Sequence, residues 1–256
     1  MKTAPLLALT LTASAAIGSN AVAQHADGLL AVDPSGNLVT GQYDFEDGTV
    51  LNVETQIYEG EFEGPFSGVW TTDEPGFNAL AGNTGLPAGY TTLPGSTSVT
   101  FDANAITIGT DTANLWHWDG TGAVSFSAVA APTVLEISKS PTAVFSTILD
   151  GSASGVAGFE IETTSADGFL HKHLDFSVYN TDDSAPATGF YLWSLTINAG
   201  PGLQTNPLYF VHGLGIDNED AHEAAIAYVQ SDVVPEPGSA LALLAGAGLL
   251  AARRRR

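Results

Sequence analysis

The chain has 256 residues, a formal net charge of −21 from 28 carboxylates against 7 lysines and arginines, and no cysteine. So acidic a surface repels nucleic acid, and the lack of thiols excludes disulfide staples, thiolate metal sites and cysteine nucleophiles. Between Gln24 and Val234 only Lys139 and Lys172 are basic, which fits either an acidic coat for a salty medium or a surface that gathers divalent cations.

Residues 1–23 read as a signal peptide: Lys2, an apolar run from Ala4 to Ile17, then the small-residue site Ala21-Val22-Ala23. Cleavage after Ala23 starts the mature chain at Gln24-His25. A histidine-brace copper site would need His25 as the first residue, and a cut after Gln24 breaks the small-residue rule. Removing both ends leaves about 210 residues, enough for one domain over residues 24–230.

Within that domain, β-branched and aromatic segments recur between Gly, Pro, Asn and Asp punctuation. The expected strands are Leu38 to Phe45, Val50 to Phe62, Ser98 to Phe101, Ala105 to Gly109, Asn114 to Trp118 and Val124 to Val129. They continue with Val134 to Ile137, Phe159 to Thr163, Phe169 to Tyr179, Phe190 to Asn198 and Leu208 to Val211. Asp33-Pro34-Ser35-Gly36-Asn37 reads as a hairpin turn. This spacing predicts an all-β fold, an antiparallel sandwich or jelly roll, with one helix on the C-terminal side. For that helix, Asp217 is the expected cap, Glu219 and Asp220 suit the positive end of the dipole, and His222, Ile226 and Val229 share the inward face. Ser231 to Val234 reads as a short tether.

Several features along these strands carry possible chemistry. Glu59, Glu61 and Glu63 share one face, either as solvated carboxylates or as calcium ligands without a defined oxygen-rich loop. Trp116 and Trp118 point the same way and form either a sugar-stacking platform or core. Asp182-Asp183 belongs to a turn. The strongest signal is His171-Lys172-His173: on a continuous strand His171, His173 and Asp175 share a face, with the imidazoles about 6.6 Å apart along the backbone and able to lean onto one metal ion. Further ligands must come from histidine or carboxylate. His25 and His212 are the favoured partners, because a terminus and a strand end can adapt to a site, with His222 and His117 as further candidates. Zinc is the natural metal, and copper and nickel fit the same donors. No phosphate loop, Gly-x-Ser-x-Gly elbow or His-Glu-x-x-His helix is present, so the chain is expected not to be an enzyme.

Residues 231–256 form an address. Pro235-Glu236-Pro237 precedes an apolar stretch from Gly238 to Ala252 and the cluster Arg253, Arg254, Arg255 and Arg256. Fifteen residues at about 1.5 Å each reach about 22 Å, short of the ~30 Å hydrocarbon core, so the segment reads as a transmembrane helix built for release. The arginines keep the tail end cytoplasmic and the body outside.

In order, spacing and terminal position this tail resembles the PEP-CTERM sorting signal. The resemblance implies export, transient anchoring in the inner membrane, cleavage near Pro235 to Pro237 by the membrane peptidase exosortase, and delivery to the cell surface or an extracellular matrix. The run Phe169 to Phe176, the segment Thr71 to Phe77 and the near-terminal His25 also look like a group of PEP-CTERM proteins linked to zinc-responsive regulation, which implies surface metal handling. The first expectation is therefore a surface protein that binds zinc through His171 and His173 with one or two of His25, His212 and His222. The alternatives are a module or matrix component that meets extracellular polysaccharide through Trp116 and Trp118, and a metallohydrolase.

Overall fold

The computed structural model describes residues 26–234 apart from Glu46 and Ala143, so the signal peptide, His25, the Pro-Glu-Pro motif, the apolar segment and the arginine cluster lie outside the described residues. Within them the expected all-β architecture is present, with eighteen strands and one α-helix near the C-terminal end.

Strand Gly189–Ala199 is the spine of the larger sheet. It pairs antiparallel with Leu208–Leu214 on one side, and with Trp116–Trp118 and Ser98–Asn104 on the other. Leu208–Leu214 then runs parallel to Ile57–Phe66, and the sheet continues through Val69–Thr72, Asp175–Asn180, Thr133–Lys139 and Phe145–Leu149. The two central strands are almost unbroken apolar runs because both of their faces are covered. Tyr191, Trp193, Leu195, Ile197 and Phe210 enter the main core, while Phe190, Leu192, Tyr209 and Val211 face a second cluster with Ala221 and Ala225 of the helix and Val229 just beyond it.

A five-stranded sheet carries the N-terminal part, in the order Leu170–Lys172, Phe77–Ala79, Ala26–Val32, Leu38–Asp44 and Thr49–Asn52. The hairpin at Asp33 forms as expected, with the Asp33 carboxylate accepting from the backbone N–H groups of Ser35 and Asn37, both at 2.8 Å. Ala26–Val32 runs parallel to Phe77–Ala79, so the fold is not purely antiparallel.

The chain crosses between the two sheets at neighbouring places. One crossing runs from Val69–Thr72 through Asp73–Gly76 into Phe77–Ala79, the other from Leu170–Lys172 through His173 and Leu174 into Asp175–Asn180. Lys172 pairs with Phe77 and Phe176 with Thr72, so the crossings lie side by side.

Several expectations are corrected. Phe169 to Tyr179 is not one strand: Leu174, 1 % exposed, turns into the core at the crossing and ends the alternation. Val50 to Phe62 also divides, into Thr49–Asn52 and Ile57–Phe66. The helix spans Glu219–Tyr228, and its cap is Asn218, whose side-chain oxygen accepts from the Ala221 N–H at 3.2 Å, rather than Asp217. Beyond it Val229–Val233 continues as a π turn, and Val233 and Val234 pack on the second cluster, so the expected tether is docked.

Candidate metal centre

The seam between the sheets brings three donors together. Strand Leu170–Lys172 presents His171, the crossing presents His173, and strand Ala26–Val32 presents Asp27. Because the strand breaks after Lys172, the two imidazoles are not confined to the strand repeat, and their Nε2 atoms stand 3.0 Å apart. Asp27 Oδ2 lies 3.4 Å from Nε2 of His171 and 3.9 Å from Nε2 of His173. These three separations define a point about 2.0 Å from every donor atom, the bond length of zinc to nitrogen and carboxylate oxygen.

The donors are held by a second layer of contacts. His173 Nδ1 donates to the Asp73 carbonyl at 2.9 Å, which leaves the Nε2 lone pair facing the centre. Asp27 accepts from the Gly76 N–H at 2.9 Å and from the Asn78 side-chain amide. His171 lies against the half-exposed Phe45 ring, with centroids 4.3 Å apart. Gly76 is needed for close approach: a Cβ there would stand 2.6 Å from His173 Nε2 and 2.8 Å from Asp27 Oδ1.

Electrostatics point the same way. Asp27 is 3 % exposed, and its two donors are neutral amides. Between Gln24 and Val234 the only lysines are Lys139 and Lys172, and Lys139 is spent on the Ile161 carbonyl and the Phe145 ring. A buried carboxylate is costly unless a cation or strong donors compensate it, and a divalent ion at the equidistant point would supply that charge. Asp73, Glu74 and His173 form a second group of possible ligands, but Glu74 Oε1 faces Nδ1 of His173 at 4.0 Å, on the side of the ring already bonded to Asp73.

The other expected residues lie elsewhere. His212 is fully buried among Phe62, Phe176, Trp193 and Phe210, its ring over Gly60, with neither nitrogen hydrogen-bonded. Burial above all, with the charge of His222 acting in the same direction, takes it down to about 3, so it is a neutral ring in the core and no partner of His171. His222 lies on the opposite face of that strand, with Nε2 2.9 Å from the Val211 carbonyl and Nδ1 3.4 Å from Glu61. Burial pulls its pKa down, but the bond to Glu61, the Val211 carbonyl and the charges of Glu61 and Glu59 outweigh burial and raise it. His117 bonds the Thr188 carbonyl at 3.0 Å. Asp175 leaves the histidine face at the crossing and lines a groove on the larger sheet. Trp116 and Trp118 are 1 % and 4 % exposed and cannot form a sugar platform. His25, Pro235, Glu236, Pro237 and Arg253 to Arg256 lie outside the described residues.

Asp27 and Gly76 are the site residues that sequence reading missed. A usable signal was present: a carboxylate-glycine pair opening the apolar run Leu29 to Val32, and the Asp-Glu-Pro-Gly-Phe segment beside the histidine strand.

Taken together, these features describe an all-β protein with a histidine–carboxylate centre at the seam of its two sheets. Residues 233–256 match the PEP-CTERM protein-sorting motif, which supports an exosortase-processed, exported protein. No curated protein matches the chain. Among the described residues no helix is long and apolar enough to cross a membrane.

Proposed function

We propose that the chain is a surface or matrix protein that binds one divalent transition metal, zinc first, through Asp27, His171 and His173. The observation that carries this reading is the common point about 2.0 Å from three oriented donor atoms, one of them a buried carboxylate. Handling or retention of the metal is favoured over hydrolysis. Three protein ligands leave a position that a water can fill, yet Glu74, the nearest candidate base, faces Nδ1 of His173 on the far side of the ring. The sorting motif supports recognition by exosortase at the membrane and release at the surface after cleavage.

Elemental analysis of the purified protein after dialysis tests the reading. Near-stoichiometric zinc is expected, with visible cobalt bands when cobalt replaces it. Metal-free protein whose melting temperature ignores added zinc, copper and nickel overturns it.

A further inference from the structure

Away from the metal centre, the outer face of the larger sheet carries a groove of about 390 Å³. Its floor is a ladder of short polar side chains set by strand register. Thr71 pairs with Ser177, Ser177 with Glu136, and in the next row Asp175 pairs with Ser138. Two hydrogen-bonded sets fix these side chains: Tyr179 donates to one oxygen of Glu136 at 3.1 Å and Ser146 to the other at 2.5 Å, and Ser177 donates to Thr71 at 3.2 Å. Phe66 stands at the rim, 60 % exposed at the tip of the hairpin before Val69, with no ring partner among the described residues.

From this arrangement we infer that the groove is a binding site for a neutral polysaccharide, lying across the strands over Thr71, Ser177 and Glu136 with one sugar face on Phe66. Serine, threonine and tyrosine hydroxyls both donate and accept, and carboxylates accept from sugar hydroxyls, so the lining matches a hydroxyl-rich chain. Within the row Thr71, Ser177 and Glu136, neighbouring side chains are set at the strand separation of about 4.8 Å, close to the advance per ring of an extended hexose polymer. The exposed phenyl ring supplies the apolar face on which a pyranose stacks. Charge narrows the class. The described lining holds Glu136 and Asp175 and no basic side chain, on a chain of net charge −21, so uronate and sulfated polymers are repelled. The site differs from the tryptophan face expected from sequence, whose rings are buried, and it does not depend on the metal centre.

The test is calorimetric titration of the protein with neutral hexasaccharides of β-linked glucose, mannose and galactose, and with an oligogalacturonate of the same length. One saturable site is expected for at least one neutral probe and none for the uronate. Phe66→Ser, at an exposed position, is expected to weaken binding about tenfold with the melting temperature unchanged, and Glu136→Gln several-fold, with metal content unchanged in both. Failure of all three neutral probes to bind overturns the proposal. So does binding that both variants leave intact, or stronger binding of the uronate. Zinc content reads the metal centre separately, so either proposal can fail alone.

Discussion

The protein uses its histidines in two ways. His171 and His173 sit half-buried at a seam, turned toward each other and toward a buried carboxylate. His212 and His222 sit on opposite faces of Leu208–Leu214, one packed as an aromatic ring and the other bonded to a backbone carbonyl and an exposed glutamate. The residue type is the same and the backbone decides the outcome. Inside a regular strand covered on both faces, the His212 imidazole joins the core that its side of the pleat meets, and His222, on the helix that covers the other face, is held by the strand's carbonyl. At a crossing, where the strand ends, two rings can converge.

The largest effect that sharpens this contrast is loss of metal. Asp27→Asn keeps the size and removes the charge, and is expected to weaken zinc binding by at least about 100-fold, beyond the usual cost of an outer contact. His171→Ala should do the same, while His212→Phe should leave zinc binding unchanged. Competition against a chromogenic chelator reads all three. Equal loss in His212→Phe would erase the distinction between the two pairs.

Acid stability is the next test. In the folded protein His212 titrates at about 3, well below its ordinary value near 6.5, so the unfolded chain binds a proton that the native core refuses. Its stabilisation is present above pH 6.5 and is lost as pH falls toward 3, at up to about 1.4 kcal/mol per pH unit. Lowered carboxylates such as Asp119 and Asp150 act in the same direction, so the informative quantity is the difference between variants. Denaturant melts of metal-free protein at stepped pH should show a shallower acid slope in His212→Phe, and identical slopes would remove His212 as its source. At neutral pH the same variant is expected to be no less stable, because neither ring nitrogen of His212 has a partner to lose.

A smaller effect is expected at Gly76. Its Cβ would press on both His173 and Asp27, so Gly76→Ala should reduce zinc affinity about tenfold without altering the acid slope that His212 sets. An unchanged affinity would mean that the two donors can move apart and still bind.

These residues also show what a sequence can reveal about such a site. His171 and His173 were legible because two histidines separated by one residue are conspicuous in a chain with two lysines in its mature part. The all-β class was legible from alternation and turns, as was the inward face of the late helix. Asp27 was not, because its place depends on a parallel pairing with Phe77–Ala79 that no local pattern announces. The break after Lys172 was hidden for a related reason: Leu170, Lys172, Leu174 and Phe176 keep a perfect alternation while the chain changes sheets between them. His212 failed as a ligand because His212 and its neighbours on the strand Leu208–Leu214 are all buried, so no side of it was free to meet a site.

The smallest effect concerns His222 and opposes that of His212 in sign. Each of its nitrogens faces an acceptor, the Val211 carbonyl and Glu61, so the protonated ring is the form that holds the helix against the sheet. Its folded pKa is raised, and the stabilisation is therefore complete below about pH 6.5 and is lost as pH rises through the higher folded value. The groups around it are Glu61 and Glu59 on the neighbouring strand and Glu219 of its own helix, with Phe190 against the ring. Glu61 is 56 % exposed, so solvent screening limits the pair to about 1 kcal/mol or less. Glu61→Gln should flatten the alkaline decline in stability above pH 6.5 and leave the acid limb and zinc binding untouched. If the variant keeps the full alkaline decline, the Val211 carbonyl alone holds His222 and the charge of Glu61 contributes nothing to the helix.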